Sequence, residues 1–142
     1  MRLTRFTDYG LRTLIHLAAQ KDDRLVRIRD IVDCYDLSTD HVRKIVHQLS
    51  LLGYIETIRG KGGGMRLGRA REEINIGQVV RDLEPTLNPV ECNEPRCRLT
   101  PDCELKRALG EAMSAFIHVL DGYTLADIVG NRRSVATLLG ID

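Results

Sequence analysis

The sequence predicts a mainly α fold with a small β-hairpin: a winged helix-turn-helix, then a cysteine-rich loop and a long dimerisation helix. Three observations carry that reading. Apolar residues recur at helical spacing in consecutive short segments up to Leu49. A glycine-rich run, Gly60-Lys61-Gly62-Gly63-Gly64, separates two short segments of strand character. All four prolines (Pro85, Pro89, Pro95, Pro101) and three of the four cysteines (Cys92, Cys97, Cys103) fall between residues 85 and 103, which excludes regular helix there.

Each element follows from a local pattern. From Phe6 to Ala19, Leu11, Leu14, Ile15 and Ala18 recur every three or four residues, with Thr7 available as an N-cap and Asp8 in the first turn. The polar stretch Gln20-Lys21-Asp22-Asp23 ends that helix, and Ile28, Ile31, Val32 and Tyr35 mark a shorter second one, broken by Asp36-Leu37-Ser38. Ser38 suits the N-cap of a third helix, in which Val42, Ile45, Val46 and Leu49 occupy one stripe. Its opposite side carries Asp40, Arg43, Lys44 and His47, flanked by His41 and Gln48. With Ser38 and Thr39 at its start, this is the cationic, hydrogen-bonding surface a recognition helix lays into a major groove. Tyr54 to Arg59 alternates as a strand, and Met65-Arg66-Leu67 returns as a second. Arg59, Lys61, Arg66 and Arg69 decorate the hairpin as a wing that meets phosphates or a minor groove. Ile76, Val79, Val80 and Leu83 form a short helical stripe before the proline-cysteine loop. Beyond it, Leu105, Leu109, Ala112, Met113, Phe116, Ile117 and Leu120 keep helical spacing to Asp121-Gly122, and Thr124 to Asp127 opens a last short helix with a capping-box pattern.

The chain of 142 residues is enough for one compact domain or a small domain with an appendage, with no apolar run approaching a membrane span and no signal-peptide pattern. These features predict a soluble, cytoplasmic protein. The net charge of +1 conceals an asymmetry: residues 1–71 hold 14 Lys and Arg against 8 Asp and Glu, whereas residues 72–142 hold 7 against 12. The basic half, 1–71, is expected to be the DNA-binding domain. The acidic half, 72–142, is expected to sense and dimerise, with the cysteine loop at 85–103 and the dimer helix at about 104–120. Enzymatic readings find little support. The glycine run lacks the Gly-Lys-Ser/Thr ending of a phosphate-binding loop, and no nucleophile and base stand in an organised pattern.

The spacing Cys92-x4-Cys97-x5-Cys103 in a chain without a secretory signal argues against a structural disulfide framework. Zinc and a reversible thiol switch stay open as alternatives. The spacing lacks Cys-x2-Cys pairs, and no histidine lies between His47 and His118. An iron-sulfur cluster fits better, because soft thiolates on a proline-stiffened loop suit a polynuclear centre and Arg96 and Arg98 offset anionic charge. Cys34, on the second helix, reads as a small hydrophobe.

The opening Met1-Arg2-Leu3-Thr4-Arg5-Phe6-Thr7-Asp8-Tyr9-Gly10-Leu11-Arg12, the Arg59-Gly60-Lys61-Gly62-Gly63-Gly64 wing and the three-cysteine loop together resemble the Rrf-type family of bacterial iron-sulfur winged-helix regulators. Within it, the chain is most similar to the nitric-oxide-sensing repressors, and the similarity spans essentially the whole sequence. The resemblance implies a homodimer that represses transcription at a palindromic operator in double-stranded DNA and loses affinity when nitric oxide attacks the cluster. It further implies that Cys92, Cys97 and Cys103 ligate a cluster, 4Fe-4S more than 2Fe-2S, whose fourth ligand is Asp8 of the partner subunit. Sister regulators with a 2Fe-2S centre use a histidine three residues after the last cysteine. Lys106 stands at that place here. The alternatives are a regulator answering iron-sulfur or redox status and, in a different class, an electron-carrying or sulfur-handling iron-sulfur protein, which would not need the basic helix and wing.

Overall fold

A computed structural model describes residues 2–21 and 24–141; Asp22 and Asp23 of the expected polar link, with Met1 and Asp142, lie outside the described residues. The described residues form seven α-helices, one hairpin and two single-turn 3-10 helices (Arg71–Glu73 and Thr100–Asp102): α1 (Arg5–Ala19), α2 (Ile28–Tyr35), α3 (Thr39–Leu51), β1 (Ile55–Ile58), β2 (Gly64–Leu67), α4 (Ile76–Leu83), α5 (Glu104–Asp121), α6 (Leu125–Val129) and α7 (Arg132–Leu138). The fold class is therefore the expected one, mainly helical with a two-stranded antiparallel hairpin.

The helical stripes become one core. Leu14 of α1, Ile31 of α2 and Val42, Ile45 and Leu49 of α3 are completely buried, and each such side chain contributes about 1.5–3 kcal/mol relative to exposure. The same cluster takes in Ile74, Ile76, Val79 and Leu83 from the α4 region and Leu125 and Val129 from α6. Gly10 explains how α4 comes so near: a Cβ there would stand 2.6 Å from Cδ1 of Leu83, so the missing side chain of α1 is the room that Leu83 fills.

One local expectation is corrected. Thr7 does not cap α1. Thr4 does, its Oγ1 accepting from the Thr7 N–H at 3.3 Å, and Thr7 is instead fully buried with its hydroxyl donating to the Glu84 carboxylate. A one-turn shift of the helix start converts a capping hydroxyl into a tertiary donor, and the partner that decides between them lies 77 residues away.

The hairpin pairs Ile55 with Leu67 and Ile58 with Gly64. Val26 adds a third backbone segment, exchanging N–H···O bonds of 2.9 and 2.7 Å with Met65, so the wing's base is fastened to the link between α1 and α2. Beyond the hairpin, Asn75 caps α4 and Arg81 clasps Asp121 of α5 through two bonds of 2.6 and 2.7 Å. The capping box predicted at Thr124 and Asp127 forms. Helix α7 carries too few apolar residues for its periodicity to announce it, yet it packs with α6 against α1. No helix among the described residues is long and apolar enough to cross a membrane.

Candidate functional site

Two features can do chemistry: the outer face of α3 with the wing, and the loop between α4 and α5. Asp36 closes α2 in the left-handed region at φ 51°, and Ser38 then accepts from the His41 N–H at 3.4 Å to start α3. With Val42, Ile45, Val46 and Leu49 buried, Ser38, Thr39, His41, Arg43, Lys44 and His47 are all exposed, and Gln48 is half-buried. Among the described residues Arg43 pairs with Asp40 alone, at 3.7 Å with both side chains mostly exposed, an arrangement worth little energy and easily exchanged for a phosphate or base edge.

The wing tip needs its glycines at particular places. Gly60 and Gly62 adopt φ of 99° and 80°, and a Cβ on Gly63 would lie 2.2 Å from the Ile58 carbonyl oxygen. Arg59 and Lys61 stand exposed on this turn. The other expected cations differ. Arg66 donates from Nε to Glu56 at 2.9 Å across the hairpin. Arg69, though exposed, lies along the surface and donates to the carbonyls of Leu52 (2.8 Å) and Gly53 (3.3 Å), its guanidinium 4.6 Å from the Tyr54 ring centre. Arg69 thus fastens the α3–β1 turn instead of decorating the wing.

The cysteine loop leaves α4 at Glu84 and enters α5 at Cys103. Its backbone is drawn into turns around the thiols: Cys97 N–H donates to the Cys92 carbonyl (3.0 Å), and Thr100 donates from N and Oγ1 to the Cys97 carbonyl (3.3 and 2.8 Å). Cys103 is the N-cap of α5, its Sγ accepting from the Lys106 N–H at 3.4 Å. All three cysteines are unpaired and half-buried, whereas Arg96 and Arg98 are exposed. Among the described residues, no three His, Cys, Asp or Glu side chains converge as they would around a metal ion. The donor chemistry nonetheless fits an iron-sulfur cluster, which takes thiolates, tolerates amide donors to sulfur and is favoured by cations nearby.

Asp8 sits in the first turn of α1, where its Oδ1 accepts from Arg12 Nε at 2.9 Å, both side chains well exposed. Cys34 is not brought to the loop. It lies on α2 with Sγ 3.7 Å from the Leu139 carbonyl oxygen, and burial raises its thiol pKa, which keeps it protonated and unreactive.

Two polar clusters, like the Arg81–Asp121 clasp, escaped sequence reasoning. The Glu84 carboxylate receives the Thr4 N–H (3.2 Å), the Thr4 hydroxyl (3.1 Å) and the Thr7 hydroxyl, and the Tyr54 hydroxyl donates to Asp82 at 2.5 Å. No local signal marks them, since each joins residues far apart in the chain.

Comparison with known proteins agrees with this architecture. Residues 3–131 match the Rrf2 family, described as iron-dependent transcriptional regulators. The chain is 49% identical over 142 residues to the HTH-type transcriptional regulator NsrR of Bacillus licheniformis, covering 98% of this chain and 99% of that one. It is likewise 49% identical over 142 residues to NsrR of Bacillus subtilis, covering 98% and 97%. Among solved structures, CymR, the global cysteine regulator of B. subtilis, superposes with a TM-score of 0.71 at 27% identity over 90% of this chain and 95% of that one.

Proposed function

The chain belongs to the Rrf2 family of iron-dependent transcriptional regulators, and from that premise we propose that it is a homodimeric repressor that senses nitric oxide through an iron-sulfur cluster. It is a transcriptional regulator and not an enzyme, as its named relatives are. The observation that carries the finer reading is the gathering of three unpaired cysteines on one loop, joined to a body that presents Arg43, Lys44, Arg59 and Lys61 on its reading face.

In this reading residues 1–71 read DNA and residues 72–142 sense and pair. Ser38, Thr39, His41, Arg43, Lys44, His47 and Gln48 address the major groove and its phosphates, while Arg59, Lys61 and Arg66 address the flanking backbone. Pairing falls to α5. Ile117 and Leu120 are spent on the chain's own core, but Leu105 and Val119 are 64% and 60% exposed and Leu109, Met113 and Phe116 only half-buried, which favours a twofold partner. A twofold pair would set its reading helices to half-sites one turn, about 34 Å, apart in a palindromic operator.

Cys92, Cys97 and Cys103 would hold the cluster, 4Fe-4S in preference to 2Fe-2S since Lys106 replaces the histidine of the 2Fe-2S relatives. Asp8 of the partner subunit would supply the remaining ligand. When bound, the cluster supplies irons that react with nitric oxide. The chain's own part is mechanical. Cys103 binds with the sulfur that also caps α5, so the ligand and the first turn of the pairing helix move together. Glu84, at the other end of the loop, is tied to Thr4 and Thr7 at the start of α1. A difference of 1–3 kcal/mol between loop states, typical of allosteric coupling, changes DNA occupancy by about 5- to 150-fold.

The test is anaerobic purification with absorption spectroscopy and iron and sulfide assays, followed by DNA binding with and without nitric oxide. Brown protein with labile sulfide that binds DNA and releases it on nitric oxide addition is the expected result. Release by oxygen or by iron limitation alone would turn the reading to a redox or cluster-supply sensor. Colourless protein that still binds DNA would remove the cluster.

A further inference from the structure

Helix α4 is the stem of the cysteine loop, and its last turn also holds the reading head. Asp82, two residues before Glu84, is half-buried and takes the Tyr54 hydroxyl on Oδ2 at 2.5 Å and the Gln78 side-chain amide on Oδ1 at 2.8 Å. Tyr54 is only 2% exposed, and it is a junction. Its N–H donates to the Leu49 carbonyl at 2.9 Å and so finishes α3, while its carbonyl accepts from the Gly68 N–H at 2.9 Å and so closes the wing. Its ring lies under the Arg69 guanidinium, which itself grips the Leu52 and Gly53 carbonyls of the α3–β1 turn. Burial and the bond to Asp82 both push the Tyr54 phenol pKa upward, so the hydroxyl keeps its proton and stays a donor.

We propose that Tyr54 and Asp82 are positioning residues for DNA recognition: their hydrogen bond transmits the state of the cysteine loop to the angle between α3 and the wing. This rests on the reading of the loop as the cluster site. The geometry favours this link over others because one residue meets the loop's stem through its hydroxyl, and the end of the recognition helix and the close of the wing through its own backbone N–H and carbonyl. The bond is also short, at 2.5 Å, and joins a buried phenol to a half-buried acceptor, so little water competes for either end.

Tyr54→Phe removes the hydroxyl and keeps the ring beneath Arg69; Asp82→Asn keeps the shape and weakens the acceptor. Each variant is compared with the wild type in cluster-loaded and metal-free forms, using a DNA duplex selected from a random pool by the loaded wild-type protein. The measurements are cluster content by labile sulfide, thermal unfolding of the metal-free protein, Kd for the duplex in both forms, and hydrogen exchange of the amides from Leu52 to Gly68. The expected result is full cluster loading and a metal-free form that still unfolds in one transition at a modestly lower temperature, as the loss of one buried hydrogen bond requires, with the loaded-to-metal-free ratio of affinities reduced by about 5-fold or more, within the usual range of coupling. Loading should slow exchange across Leu52–Gly68 in the wild type and not in the variants. The double variant should lose no more than either single one, because both act on one bond. An unchanged ratio with wild-type exchange behaviour, or an equal loss of affinity in both forms, overturns the proposal, the latter by reducing the pair to a structural contact. A wild-type protein whose affinity is the same with and without cluster overturns the underlying reading of the loop, and is recognised before any variant is made.

Discussion

On α3, Arg43, Lys44 and His47 stand on a helix whose other side places Val42, Ile45 and Leu49 at zero exposure, whereas from Pro85 to Asp102 no side chain is fully buried and the backbone is drawn together by a few turn hydrogen bonds. One surface is rigid because the core behind it is dense. The other, a ligand set in the reading proposed above, has no scaffold of its own, so its order must come from what it would bind or from its two ends, Glu84 and Cys103. The proposed sensor would need that difference: a reading surface that keeps its shape and a loop that carries the change.

The sharpest way to break the comparison is at the thiols. Cys92→Ala, Cys97→Ala and Cys103→Ala should each abolish brown colour and nearly all labile sulfide under anaerobic preparation, with helical content retained by circular dichroism. Cys34→Ala should leave the cluster in place, because Cys34 belongs to α2 and the C-terminal end. A fully loaded cluster in any of the three loop variants would remove that cysteine from the ligand set.

The core behind the reading face gives the next largest effect. Leu49→Ala removes a completely buried side chain from beneath α3 and should cost about 2–5 kcal/mol in urea or thermal unfolding. Leu138→Ala, at a side chain 83% exposed on α7, should change stability by less than about 0.5 kcal/mol. Equal losses would mean that α7 is covered in solution by something that burial within one chain does not include.

How much of this was legible in the sequence follows from the range of the interactions. The stripe Val42, Ile45, Val46 and Leu49, the Ser38 cap and the glycine turn are local patterns, and each emerges as read. Thr7 was misread because a threonine at a helix start looks like a cap until Glu84 arrives from the far side of the core. Arg69 was misread as a wing cation for the same reason, since the carbonyls it holds become acceptors only where α3 ends against Tyr54. Helix α7 has no strong stripe, and its place is set by packing against α1. The cysteines were legible as a set but not as a geometry, because the ligand that would draw them together is not part of the chain.

At the wing, Arg59→Ala and Lys61→Ala test whether the exposed tip meets phosphate. Each should weaken DNA binding across sequences and reduce the slope of log K against log salt by about 1. Arg66→Ala should do less, because its guanidinium already engages Glu56. A change of sequence preference with an unaltered salt slope would instead place the wing residue on a base edge.

Asp8 offers a small effect on stability and the most direct discrimination between a local and an intersubunit role. Within the chain it favours the first turn of α1 and pairs with Arg12, four residues on, with about half of each side chain in water. Those two contributions together are worth only about 0.6–1.5 kcal/mol, the sum of a first-turn carboxylate and an exposed i,i+4 ion pair. If that is its whole role, Asp8→Ala lowers stability by that amount and leaves the absorption spectrum, the nitric-oxide reaction rate and the loaded affinity for DNA unchanged. If Asp8 of the partner subunit completes the cluster site, three thiolates still retain a cluster in Asp8→Ala, but its spectrum and its nitric-oxide kinetics shift. The coupling to DNA also weakens, since the cluster no longer bridges the twofold axis. Arg12→Ala separates the cases further. It removes the ion-pair partner of Asp8, with its own contacts to the Tyr9 and Tyr35 rings, without removing a ligand, so it should lower stability and cause none of the spectral change.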